Sequence, residues 1–116
     1  MAKTIFLSHN AKDKNLADII SNIIREISIE QITSWFSSDE KVDGGFNAGD
    51  DWYAEILRKI HKCDVLIAII TPNSIDRPWI YYEAGIAIGI NKVVVPVCID
   101  IKREDLNSPL NKFQAY

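Results

Sequence analysis

A glutamate four residues after a tryptophan, Trp79 and Glu83, is the spacing in this chain with the plainest chemical use. Both lie in Arg77-Pro78-Trp79-Ile80-Tyr81-Tyr82-Glu83-Ala84-Gly85-Ile86, which follows an apolar run, Val65 to Ile70, and a polar break, Thr71-Pro72-Asn73-Ser74. The pattern is that of a buried strand that ends in a loop and passes into a helix. On that helix residues i and i+4 share a face. In open parallel sheets ligands bind where strands end and helices begin. A carboxylate at such a mouth, beside an aromatic wall, is a candidate catalyst. Two blander readings stand beside it: a helical glutamate is commonly a solvated surface acid, and a tryptophan commonly packs.

The elements that must position this pair alternate along the chain. Thr4 to Leu7 reads as a short strand broken by Ser8-His9-Asn10. From Asp13, a plausible N-cap, Leu16, Ile19, Ile20, Ile23, Ile24 and Ile27 form one helical apolar stripe. Gln31 to Phe36 is rich in β-branched and aromatic residues and predicts a second strand. The longest irregular stretch follows, Ser37 to Asp51 with Gly44, Gly45 and Gly49; loops of this length tend to be functional. Trp52, Ile56 and Ile60 mark a second helix with an acidic start. The unbroken apolar strand Asp64 to Ile70 predicts burial on both faces. A third helix runs from about Pro78 to Ile90. In Lys92 to Ile99, Pro96 cannot donate a ladder bond, which favours a place near the sheet edge. Gly85 and Gly89 each weaken the third helix, and close approach to the sheet is the simplest reason for them. The order βαβαβαβ predicts an α/β fold, a doubly wound parallel sheet. The polar tail from Asp100 to Tyr116 holds no more than a turn and the start of a fifth strand, so the single domain 1–116 is expected to be the N-terminal part of a longer protein.

Bulk properties narrow the function. A chain of 116 residues buries roughly two-thirds of its unfolded surface, enough for a core without staples. A net charge of -3, with no basic run longer than two, argues against direct nucleic-acid binding. Cys63 and Cys98, far apart in apolar surroundings, read as free thiols in a reducing cytoplasm. No Cys/His spacing suggests a metal site. The first residues lack the apolar core of a signal peptide, and no apolar run reaches the ~18 residues of a membrane span. A cytoplasmic domain with no membrane partner is expected.

Several site classes fall away. There is no G-x-x-x-x-G-K-[ST] phosphate loop. Ser8-His9-Asn10-Ala11 stands where a dinucleotide-binding domain carries G-x-G-x-x-G, and no G-x-S-x-G elbow occurs. The acidic cluster of a phosphoacceptor receiver is missing, since the first and third strands end at Ser8 and Thr71.

Seven segments, in order, resemble a Toll/interleukin-1 receptor (TIR) domain of the bacterial, NAD-cleaving immune type. They are Ile5-Phe6-Leu7-Ser8-His9, Trp35-Phe36-Ser37-Ser38, Gly49-Asp50-Asp51-Trp52, Cys63-Asp64-Val65-Leu66-Ile67, Thr71-Pro72-Asn73-Ser74, Trp79-Ile80-Tyr81-Tyr82-Glu83-Ala84-Gly85 and Val95-Pro96-Val97. The resemblance covers nearly the whole chain. It implies a flavodoxin-like sheet, of which this chain carries four strands and the beginning of a fifth, so the fold is expected to be truncated.

The resemblance also implies a function: cleavage of the nicotinamide–ribose bond of NAD+, with NAD+ as substrate and no cofactor, switched on by TIR–TIR self-association into oligomers or filaments in anti-phage immune signalling. Glu83 matches the catalytic glutamate that follows a tryptophan in enzymatic members. Ser8, His9, Phe36, Ser37, Ser38 and Trp79 would line the substrate site, although Trp79 could equally pack and His9 could equally be a solvated loop residue. The loop from Asp39 to Asp51 corresponds to the family's assembly loop, with Asp43, Gly44, Gly45, Phe46 and Gly49 as contacts. A C-terminal sensor domain or partner protein would supply the trigger. The alternatives are a non-catalytic TIR–TIR interaction module and a deoxyribosyltransferase-like enzyme with Glu83 as nucleophile.

Overall fold

A computed structural model describes residues 3–29, 31–38, 51–76 and 78–102. Among them four strands, β1 (Lys3–His9), β2 (Ile32–Ser38), β3 (Val65–Ile70) and β4 (Val93–Cys98), alternate with three helices, α1 (Lys14–Ile27), α2 (Asp51–Lys62) and α3 (Pro78–Gly89). The strands form one sheet in the order β2-β1-β3-β4, every pair parallel. This is the doubly wound arrangement that the alternation predicts. Its strand order reverses between β1 and β3, the topological switch point of such sheets.

Side-chain alternation along the strands divides the core in two. Phe6, Leu66, Ala68, Ile70 and Val94 point to one face, where they pack with Ile56 and Ile60 of α2 and Trp79, Ile80, Ala84 and Ala87 of α3. Ile5, Leu7 and Ile69 point to the other, where Ala17 of α1 is buried with Leu16, Ile20 and Ile24 against them. Ser8 stands two residues after Phe6 and so belongs to the α2/α3 face.

Several expectations change. Ser8 and His9 do not break β1; they are its last two residues. Ser37 and Ser38 likewise lie inside β2. The isoleucine stripe of α1 is wider than the surface that covers it: Ile19, Ile23 and Ile27 are exposed. Asp13 makes no side-chain cap on α1; Asn10 caps the preceding 3-10 turn, Ala11–Asp13, by accepting from the Lys12 amide. The glycines of α3 serve no close approach either, because a Cβ at Gly85 or Gly89 would meet nothing within 4 Å. Ala84 and Ala87, fully buried, make the tight contacts instead. Pro96 does sit on β4, the edge of the described sheet, opposite Ala68.

The assembly-loop residues Asp43, Gly44, Gly45, Phe46 and Gly49, and the tail from 103 onward, lie outside the described residues. No helix among the described residues is long and apolar enough to cross a membrane.

Candidate active site

Every buried polar or charged residue among those described belongs to one region. Ser8, His9, Asn10 and Asp13 follow one another at the end of β1, Thr71 and Ser74 follow β3, and Glu83 comes from α3. The interior of a domain this size is otherwise apolar, because a buried polar group costs stability unless it is bonded. Their concentration at the C-terminal ends of β1 and β3 makes the switch point the candidate site.

Glu83 is the centre of it. Its residue is wholly buried, which removes the solvated-acid reading. The Ser8 hydroxyl donates to Glu83 Oε1 at 2.5 Å, at the short end of the range for a hydroxyl on a carboxylate. The local reasons are visible in sequence. Parity along β1 turns Ser8 to the face that carries α3. The i, i+4 relation puts Glu83 on the same inward face as Trp79 and between the buried Ile80, Ala84 and Ala87.

Trp79 is also buried, in the core under α3, with its ring stacked on Tyr82 at 5.6 Å between centroids and 21° between planes. Tyr82 is the exposed member of the pair. His9 is buried rather than solvated. Its Nδ1 lies 2.8 Å from the Asn10 carbonyl, and a carbonyl only accepts, so that nitrogen carries the proton. Phe36, Ser37 and Ser38 pair with Leu7, Ser8 and His9 in register, so their backbone reaches the same rim. The backbones at the ends of β1 and β2 therefore lie side by side, Glu83 of α3 meets Ser8, and Trp79 packs in the core.

A second set, which the sequence reading did not place at the site, adjoins them. The Asp13 carboxylate accepts from the Thr71 hydroxyl at 2.7 Å and from the Asn73 side-chain amide at 2.8 Å. The Asn73 amide N–H donates to Thr71 Oγ1 at 3.1 Å, and the Thr71 N–H to Ser74 Oγ at 3.0 Å. The polar run Thr71-Pro72-Asn73-Ser74 was the only trace of this in the sequence; nothing there links it to Asp13, nearly sixty positions away.

A parallel sheet in flavodoxin-like order, with a buried carboxylate beside its switch point, defines an α/β domain of the kind in which ligands bind at the strand ends. More narrowly, the TIR domain family model matches residues 5–116, and the chain belongs to that family. In structure it is similar to a metazoan TIR-STING receptor from C. gigas, with a TM-score of 0.63 and 24% identity over 93% of this chain and 35% of that one. It is also similar to a 2-desoxiribosyltransferase from Leishmania mexicana, with a TM-score of 0.59 and 19% identity over 86% of this chain and 67% of that one. At these identities the likeness is one of fold, and the chain spans about a third of the TIR-STING receptor. No curated protein matches the sequence.

Proposed function

We propose that this TIR domain cleaves the nicotinamide–ribose bond of NAD+, with Glu83 as the catalytic carboxylate, when copies of the protein assemble in an immune, anti-phage response. The observation that carries the proposal is the buried Ser8–Glu83 hydrogen bond at the switch point. A carboxylate kept inside an apolar core is a standing cost, and perturbed or buried acids in clefts concentrate at functional sites.

The chemistry suits it. Nicotinamide leaves NAD+ as a neutral molecule, so departure requires no general acid. Positive charge develops on the ribose, as in glycoside hydrolysis, and a carboxylate stabilises that charge electrostatically. Ser8 fixes where the carboxylate points. The complete burial of Glu83 fits a switched enzyme: in this conformation solvent and substrate do not reach the acid, and assembly would supply the rearrangement that opens the crevice. The 2-desoxiribosyltransferase from Leishmania mexicana shares the fold.

The test is nicotinamide release by the assembled full-length protein. Wild type is expected to consume NAD+ and Glu83→Gln to lose turnover; equal rates in the two would remove Glu83 from catalysis.

One observation favours a second reading, a non-catalytic module that signals by TIR–TIR contact. Ile19, Ile23, Ile27 and Ile29 are exposed along one flank of α1 and its end, which suits an interface. That reading expects no nicotinamide release in any assembled state. A covalent glycosyl adduct on Glu83, trapped and found by mass, would point instead to the transferase chemistry.

A further inference from the structure

We propose that Asp13 is a positioning residue for Glu83, acting through a hydrogen-bonded clasp that joins the start of α1 to α3 across the switch point. The inference rests on the reading of Glu83 as the catalytic carboxylate.

The connection can be followed atom by atom. Asp13 closes the turn after β1, and its buried carboxylate is bonded at both oxygens, by Thr71 and by Asn73. Those two residues open the loop after β3. The loop is folded on itself: Ser74 and Ile75 N–H groups both donate to the Thr71 carbonyl at 3.0 Å, and Thr71 N–H donates to Ser74 Oγ. Its far end is tied to α3, because the Tyr81 hydroxyl donates to the Ile75 carbonyl at 2.8 Å. Tyr81 precedes Glu83 by two residues on the same helix. Asp13 thus holds the loop, the loop holds Tyr81, and Tyr81 fixes the first turns of the helix that carries the acid.

The arrangement costs more than a simple turn requires. A loop of this length closes adequately with its own backbone bonds, whereas a buried aspartate has to be desolvated before it can bond. What the aspartate adds is rigidity between the turn after β1 and the loop after β3. The Ser8–Glu83 separation depends on that relation, since Ser8 stands five residues before Asp13 and Glu83 follows the loop. Catalytic geometry is sensitive at this scale: a displacement of about 1 Å costs up to a hundredfold in rate.

The experiment is a double-variant cycle on NAD+ turnover by the assembled full-length protein, with Asp13→Asn, Tyr81→Phe and the two combined. Each single change is expected to lower kcat about tenfold and leave KM within about twofold, because geometry is altered and binding surface is not. The combined variant should lose no more kcat than the worse single one, since both cut one path, and its loss of unfolding free energy should likewise be less than the sum of the two single losses, as for members of one hydrogen-bond network. Losses of kcat that multiply, an unchanged kcat, or a raised KM alone would overturn the assignment. If Asp13→Asn does not fold, Asn73→Ala, at an exposed position, replaces it in the same cycle. If wild type releases no nicotinamide, the reading of the site fails, and the clasp is judged by amide hydrogen exchange instead. Asp13→Asn must then speed exchange in the loop and in the first turns of α3 but not in α2; unchanged protection in α3 overturns it.

Discussion

The hydroxyl of Ser8 donates to the carboxylate of Glu83 across a sequence separation of 75 residues, inside a core where neither residue touches solvent. One comes from the end of a central strand and the other from the helix that follows its neighbour. Removing the hydroxyl with Ser8→Ala takes a buried bond from Glu83 and should cost about 1–2 kcal/mol of unfolding free energy. Glu83→Gln keeps an oxygen that accepts from Ser8, so it should cost less stability yet abolish NAD+ cleavage. Urea titration of both variants, set beside nicotinamide release, separates the structural share of this bond from the chemical one. A Glu83→Gln protein as unstable as Ser8→Ala but fully active would reverse both assignments.

Gly85 offers a gain in stability. It lies in the interior of α3, is exposed, and has open space where a Cβ would go. Alanine there should stabilise the protein by about 0.5–1 kcal/mol through reduced backbone freedom in the unfolded chain. A rise in the thermal midpoint checks this; a fall would mean that something outside the described residues occupies the space.

Ile29 is strained. It follows α1 with φ of 56°, a left-handed conformation that suits glycine or asparagine at a helix end and disfavours a β-branched side chain. Its side chain is exposed and offsets none of this by packing. Ile29→Asn should stabilise by up to about 1 kcal/mol, read by chemical denaturation.

Burial pushes the Cys63 thiol up, more than the nearby Lys92 ammonium pulls it down. Its Sγ–H donates to the Ile60 carbonyl at 3.1 Å. The sign of the pH dependence follows. Above about pH 8.5 an unfolded cysteine loses its proton, while the folded protein keeps it, so the folded state binds more protons and stability falls as pH rises until the folded thiol also ionises. Unfolding free energy measured from pH 7 to 10 should decline, and Cys63→Ala should flatten that decline after its own packing loss is subtracted. Alkylation of Cys63 in the native protein at pH 8 should be slow and should become fast on unfolding; rapid native labelling would contradict its burial.

The family was legible in seven ordered segments; the order of strands and helices, their approximate limits and the parallel sheet were legible for another reason. Apolar periodicity records which face of each element is covered, and a run such as Val65–Ile70 is covered on both. The pairing of Trp79 with Glu83 on one helix face was equally local. What the sequence could not decide is which apolar residues find a partner: α1 carries two rows of isoleucines, and only packing against β1 and β3 selects Ile20 and Ile24 over Ile19 and Ile23. Nor could it decide what the polar residues bond. Asp13 looked like a helix cap because capping is a local rule, but its carboxylate is taken by Thr71 and Asn73 from another loop. Glu83 read as a candidate catalyst from its place and its resemblance, but spacing alone left open a solvated surface acid, as most helical glutamates are. Its burial, and its bond to Ser8, exist only once the sheet has brought the end of β1 under α3. Contacts within one element follow from spacing alone, whereas contacts between elements depend on a topology that no single segment contains.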